Sequence, residues 1–384
     1  VVPNLKIQSV GSDLAVPPLA EEVEISLFGP GFGECVVAHI GESQWIVVDS
    51  CIHSASRSPV ALEYFRELGV NPRTDVKAII ATHWHDDHMA GLAELFATCP
   101  EARFVCSVAL NCSEWATLVE IYRGYIQTGG SGVDELRKVM SELSRRSAAG
   151  KIAAPDFAIA NRTLLERPTK VHAKLVALAP SDAAVALMQT RIQQQLLPQP
   201  NSRRLRVPEL GENDSSVVLS LSVSNASVLL GADLEDSRRP GLGWQVILDE
   251  YRADGLRFEG FKIPHHGSAN GFHQDQWPKL MKNDAWATLT PYNRGTKLPT
   301  TADCQRILAL SPDAYITAPP GLGKFRHPDP AVHKTALEVT VSIGDEPGKQ
   351  GHVRLRRSAF DKDAKWRVEL FGDALPLARV LKLL

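Results

Sequence analysis

No stretch of the 384 residues approaches the run of about 20 apolar residues that a membrane-spanning helix needs, so no membrane association is expected. The start, Val1-Val2-Pro3-Asn4-Leu5, has neither a basic nor an apolar leader region, which predicts no secretory signal. Cysteine is sparse and scattered. Cys35, Cys51, Cys99, Cys106, Cys112 and Cys304 form no Cys-x-x-Cys pair, which argues against a zinc knuckle, a dithiol redox site or a disulfide framework. Small buried thiols and a cytoplasmic location are the expectation. An excess of one charge is also missing. The formal net charge of −2 argues against binding nucleic acid through overall positive charge, although a local basic groove stays open.

What is present is ordinary globular composition, with 44% hydrophobic and 22% charged residues, enough for a sizeable core. The length suits two average domains or one large α/β domain. Chemistry is concentrated in Thr82-His83-Trp84-His85-Asp86-Asp87-His88. This stretch follows the strand-like Val76-Lys77-Ala78-Ile79-Ile80-Ala81 and precedes helical spacing from Met89 to Phe96. A strand-to-helix junction is the usual place for a site in an α/β protein. A polar loop is the plainer reading, but imidazole and carboxylate at this density suit zinc, iron or manganese and have few other uses.

His83, His85, Asp87 and His88 match, position by position, the His-x-His-x-Asp-His signature of the metallo-β-lactamase superfamily of hydrolases. The resemblance implies an αββα sandwich, two mixed sheets flanked by helices. It also implies a two-metal hydrolase in which the first two histidines hold one ion and the aspartate and last histidine the other. Upstream, the strand Glu22 to Phe28 leads through Gly29-Pro30-Gly31-Phe32-Gly33-Glu34 to strands Cys35 to Ile40 and Gln44 to Asp49. With that order the chain is similar to the hydrolase domain of the DNA-uptake protein ComEC and its stand-alone relatives. Those relatives carry Gly-Asp where Gly33-Glu34 stands, and Gly in place of Cys51.

Downstream, strands at 217–223 and 227–230 end in Gly231-Ala232-Asp233, and Asp233 matches the carboxylate that bridges both ions in the family. An N-cap for a helix over Trp244 to Tyr251 is the alternative. Pro264-His265-His266-Gly267-Ser268 matches a second motif of the ComEC group. His265 would complete the second metal site; His266 and Ser268 would face substrate, or His266 would anchor the loop. Phe325-Arg326-His327-Pro328 is similar to the segment that closes the site, making Arg326 and His327 phosphate partners or parts of a rigid loop. The third histidine of the first ion is lacking. Asn213 and Asp214 stand there, and either of them or water is left to complete the sphere.

These segments outline a lead-in at 1–22, the catalytic domain at 23–372 with a mainly helical insertion at 112–208, and a tail at 373–384. Within the insertion, helices are predicted over Glu114 to Gln127, Val133 to Arg146 and Ser181 to Leu197, and Lys174 to Leu178 is a strand that rejoins the sheet. Arg203, Arg204 and Arg206 form a basic run, read as a solvated face.

The expected activity is two-metal phosphodiester hydrolysis with zinc or manganese, acting on nucleic acid, DNA before RNA. Asp87, Asp233, His266 and His327 are the expected catalytic residues, and Ser268 and Arg326 bind substrate. The competing readings are a hydrolase of a small ester, lactone, phosphocholine or cyclic nucleotide, and a non-catalytic component of a larger assembly.

Overall fold

The computed structural model describes residues 7–9, 14–123, 132–151, 154–196, 210–250, 257–321 and 350–382. Its strands are apolar on both faces, and the period-2 alternation of side chains explains where each face goes. In Cys35–His39 and Trp45–Val48, the residues Val36, Ala38, Ile46 and Val48 pack into a central core, whereas Cys35, Val37, Trp45 and Val47 pack outward under helices. That pattern requires four layers. Two sheets meet across the central core, and each is covered on its outer face by helices.

Among the described residues the first sheet has nine strands and the second eight, both of mixed direction. In the first, the antiparallel run His352–Ser358, Glu22–Phe28, Cys35–His39 and Trp45–Val48 turns parallel at Val76–Ala81 and Arg103–Ser107. In the second, Leu219–Val223 pairs antiparallel with Ala226–Leu230, which continues in parallel through Phe258–Lys262, Met281–Leu289 and Ala314–Ile316. The C-terminal ends of Val76–Ala81, Ala226–Leu230 and Phe258–Lys262 deliver the three motif loops.

The lead-in, the insertion and the tail all contribute strands to the sheets. Ile7–Ser9 of the lead-in pairs with Arg367–Phe371, and Leu375–Pro376 of the tail pairs with Ala314–Ile316. The insertion carries helices Ser113–Arg123, Gly132–Ala148 and Asp182–Leu196, but also gives Asp156–Ala158 to the first sheet and Arg162–Arg167 and Ala173–Ala177 to the second. The Ser181 hydroxyl accepts from Ala184 N–H, which makes Ser181 the N-cap of Asp182–Leu196. The helix expected from Met89 is broken instead: Asp86–Met89 forms one turn, Gly91 takes φ 80°, and Leu92–Thr98 follows. All six cysteines are unpaired, and no helix among the described residues is long and apolar enough to cross a membrane.

Candidate metal centre

Four histidines converge below the sheet ends, and each has one ring nitrogen tied to an outer acceptor. His88 Nδ1–H donates to Asp49 Oδ2 at 2.8 Å. Thr82 Oγ1 also donates to Asp49 Oδ2 at 2.7 Å, so the same hydroxyl accepts from His83 Nδ1 at 3.0 Å. His85 Nε2 faces Glu212 Oε2 at 3.3 Å, and His266 Nδ1 donates to the Thr290 carbonyl at 3.2 Å. Because the outer partners accept, these nitrogens carry protons, and the opposite nitrogens are the ones that would offer lone pairs to an ion. Those nitrogens point inward. Such outer partners orient metal-bound imidazoles generally.

The inward atoms fall into two neighbouring groups. His83 Nε2 and His85 Nδ1 lie 3.1 Å apart. Asp87 Oδ2 lies 3.2 Å from His266 Nε2 and 3.9 Å from His88 Nε2. One oxygen faces both groups: Asp233 Oδ2 is 3.3 Å from His88 Nε2, 3.6 Å from His266 Nε2 and 4.0 Å from His83 Nε2. His83, His88 and Asp233, and separately Asp87, His88 and His266, hold ligand atoms within 4.8 Å of one another. His88 Nε2 is buried with no hydrogen-bond partner among the described residues, which suits an atom meant for an ion. Nitrogen and carboxylate donors at these spacings fit divalent zinc or manganese.

Burial opposes charge on every group here, and neighbours decide the outcome. Burial with His88 and His85 holds His83 well below the usual histidine range. His88 would be lowered by burial as well, but the carboxylates of Asp233, Asp87 and Asp49 raise it well above that range. Against the same burial penalty, Glu212 raises His85, and Asp233 and Asp87 raise His266. Burial pushes Asp87 and Asp233 up, and His88 and His266 outweigh it, so both stay below the carboxylate range.

The two adjacent histidines of the second motif point in different directions. His266, expected to face substrate or anchor the loop, points at Asp87 and Asp233. His265, expected to complete the second metal site, lies outside those groups, with Nδ1 3.4 Å from Glu235 Oε1 and Nε2 3.4 Å from Asn213 Nδ2. Consecutive left-handed residues, His265 at φ 48° and His266 at φ 53°, turn the chain so sharply that neighbouring side chains diverge. Ser268 serves the loop rather than an open face, because its hydroxyl accepts from Asn270 N–H at 3.2 Å. Asp214 is held by Arg191 at 2.7 Å, and Asn213 Oδ1 is buried without a partner among the described residues. Asp233 caps no helix; the next one, Trp244–Glu250, begins well beyond it. Arg326 and His327 lie outside the described residues, as do Arg203, Arg204 and Arg206.

Reading the sequence missed the residues behind the ligands. Lys262, 1% exposed, donates to Glu34 and to the Ala232 carbonyl and lies 3.9 Å from Asp233 Oδ1. Glu34 in turn accepts from Thr290 Oγ1 at 2.6 Å, beside His266. Lys262 therefore sits on the far side of Asp233 from the histidines. The insertion grips the motif loop from outside: Gly132 N–H donates to Asp86 Oδ1 at 2.7 Å, and Trp84 packs on Trp115. A Cβ on Gly132 would meet the Trp84 carbonyl oxygen at 2.0 Å.

Residues 28–113 match the family described as the Metallo-beta-lactamase superfamily. The two mixed sheets flanked by helices are the αββα sandwich of that fold. Among solved structures, the chain is similar to a metallo-β-lactamase from Cronobacter sakazakii at 13% identity, covering 62% of this chain and 76% of that one with a TM-score of 0.33. A metallo-β-lactamase from Novosphingobium pentaromativorans matches at 12% identity over 68% of this chain and 81% of its own, with a TM-score of 0.31. A B3 metallo-β-lactamase with an active-site glutamic acid matches at 15% identity over 78% and 90% of the two chains, with a TM-score of 0.32. No curated protein matches the chain.

Proposed function

We propose that the chain is a metal-dependent hydrolase that cleaves phosphodiesters with two divalent ions, zinc or manganese, and that its substrate is nucleic acid, DNA before RNA. One observation carries the reading: a single carboxylate oxygen, Asp233 Oδ2, faces both groups of inward-pointing nitrogens. His83 and His85 would hold one ion and Asp87, His88 and His266 the other, with Asp233 shared. Asn213 and His265 are the residues available to complete the first. When bound, two such ions supply a water activated at neutral pH and positive charge against the developing negative charge of an in-line displacement. The chain's own part is positional. Asp49, Glu212 and Thr290 fix the tautomers, and Lys262 turns Asp233 so that one oxygen faces the ligand groups and the other does not. The order of the sequence motifs, which resembles that of the ComEC-like group, also supports this reading. The net charge of −2 favours the second reading, a hydrolase of a small ester, lactone, phosphocholine or cyclic nucleotide.

The test is a bound-metal measurement joined to a cleavage panel of DNA, RNA, cyclic nucleotide and a bis-aryl phosphodiester in manganese or zinc. Two ions per chain and diester cleavage lost in Asp87→Ala are expected. His266→Ala should lower the metal content by one ion while His265→Ala leaves the second ion in place. Two bound ions with no cleavage of any diester would overturn the proposal.

A further inference from the structure

Beside the metal centre the chain builds a rim that the proposed chemistry does not use. The ring of Tyr292 lies 5.3 Å from that of His266 and 5.7 Å from that of Phe32. The Arg294 guanidinium covers Phe32 with its carbon 3.4 Å from the ring centroid. Both aromatic side chains are half-buried, whereas Arg294 and Lys297 are exposed. Two loops from opposite sheets meet to make this surface. Tyr292 and Leu298 exchange backbone hydrogen bonds at 2.9 Å, which closes a short hairpin with Arg294 and Lys297 at its tip. Asn293 N–H donates to the Gly31 carbonyl at 2.8 Å, and its Oδ1 accepts from Gly321 N–H at 2.6 Å. Gly31 has φ 108°, and a Cβ there would meet Asn293 Nδ2 at 2.7 Å, so the approach of the two loops depends on glycine. Glu34 N–H, donating to the Asp87 carbonyl at 2.9 Å, ties the same loop to the metal centre. The rim is fixed before any ligand arrives.

Resting on the phosphodiester reading above, we propose that Phe32, Tyr292, Arg294 and Lys297 form a nucleoside subsite. A nucleobase stacks on the aromatic and guanidinium faces while its phosphate lies between the two cations and the metal centre. Aromatic rings and Arg planes are the surfaces on which single-stranded bases stack, and they accept any base. The two cations decide against a quaternary ammonium headgroup, which an aromatic pair alone would accept. They also decide against a neutral ester or lactone, which would gain nothing from them. A nucleic-acid strand and a free nucleotide share this chemistry.

Binding to the metal-loaded protein separates the base from the phosphate. Thymidine 5′-phosphate and 2-deoxyribose 5-phosphate are titrated by calorimetry against wild type, Phe32→Leu, Tyr292→Leu and Tyr292→Phe. The thymidine ligand should bind wild type about ten-fold more tightly than the baseless one. The two leucine variants should erase that difference, and Tyr292→Phe, which keeps the ring, should retain it. Arg294→Met should weaken both ligands, since both carry the phosphate. Equal binding of the two ligands by wild type, or an equal loss of both in the leucine variants, overturns the subsite. The hydrolase reading fails separately: a protein that cleaves no diester yet keeps ring-dependent thymidine binding retains the subsite and loses the activity. A single-stranded oligodeoxynucleotide and a cyclic nucleotide, titrated in parallel, distinguish a strand from a free nucleotide as its occupant.

Discussion

Replacing Lys262 by Met keeps most of the side-chain volume and removes the charge. In the folded chain the ammonium group is 1% exposed and paired with Glu34, itself 2% exposed. Loss of the lysine leaves the Glu34 carboxylate with the Thr290 hydroxyl as its hydrogen-bond donor and strips the Ala232 carbonyl of its side-chain donor. Breaking one side of a buried ion pair costs about 3–5 kcal/mol, because the remaining charge stays desolvated. Unfolding entropy near 2.1 cal/mol/K per residue gives about 0.8 kcal/mol/K for 384 residues, so Lys262→Met should lower Tm by roughly 5 °C. Glu34→Gln alone should also destabilise, since it leaves the ammonium without its counter-charge.

The decisive measurement is the double variant. Lys262→Met with Glu34→Gln removes both members of the pair at once, and neutral replacement of a buried pair is often nearly neutral for stability. The double variant should therefore regain about 2 kcal/mol or more over the sum of the single losses. Tryptophan fluorescence during urea unfolding, with chelator present to remove any contribution from metal, reads all four proteins. Additive losses would refute the reasoning, because independent sites add and a desolvated pair does not.

Acid should weaken the fold through His39, which lies buried against Trp45 with Nδ1 2.9 Å from the Glu22 carbonyl. Burial, helped by Arg356, lowers its pKa to about 4 from the usual 6.5. The folded pKa is the lower one, so the unfolded chain binds the extra proton. Stability is complete above pH 6.5 and falls as pH drops towards 4, by about 3 kcal/mol. His39→Gln should flatten that part of the pH dependence; an unchanged slope between pH 7 and pH 5 would refute it. Divalent ion at 100 times its Kd should stabilise by about 2.7 kcal/mol, a Tm rise near 3 °C, and Asp233→Ala should abolish most of it. Gly132→Ala should loosen the metal loop by pressing on the Trp84 carbonyl, read as weaker metal binding with the far side of the fold intact; unchanged affinity would show that the insertion does not hold the loop.

How far the site can be read from sequence depends on how many chain segments each feature needs. His83, His85, Asp87 and His88 stand within six consecutive positions, so their spacing alone places their ligand atoms together, and Asp233, in the loop just past strand Ala226–Leu230, adds a long-range contact. The four layers were legible only through the resemblance that the motif carries, because strands apolar on both faces show that each face is covered but not by what. The supporting shell leaves no such mark. Asp49 reaches His88 across 39 positions, Glu212 reaches His85 across 127, and Thr290 reaches Glu34 across 256. Each looks locally like an ordinary polar residue at a strand end or turn.

The His265-His266 pair shows a different kind of limit. Both residues are chemically able to bind an ion, and nothing in their order says which one does. What turns His266 rather than His265 towards Asp87 and Asp233 is a pair of successive left-handed backbone angles, held by His265 N–H donating to the Ala232 carbonyl and Gly267 N–H donating to the Pro264 carbonyl. Ala232 is itself left-handed at φ 44° and accepts from Lys262, so the same buried lysine that faces Asp233 also braces the turn that aims His266. Placement of Asp233 and placement of His266 are therefore not independent. A substitution at Lys262 should disturb ligands on both sides of the shared oxygen together, and loss of one metal position with the other untouched would contradict that coupling.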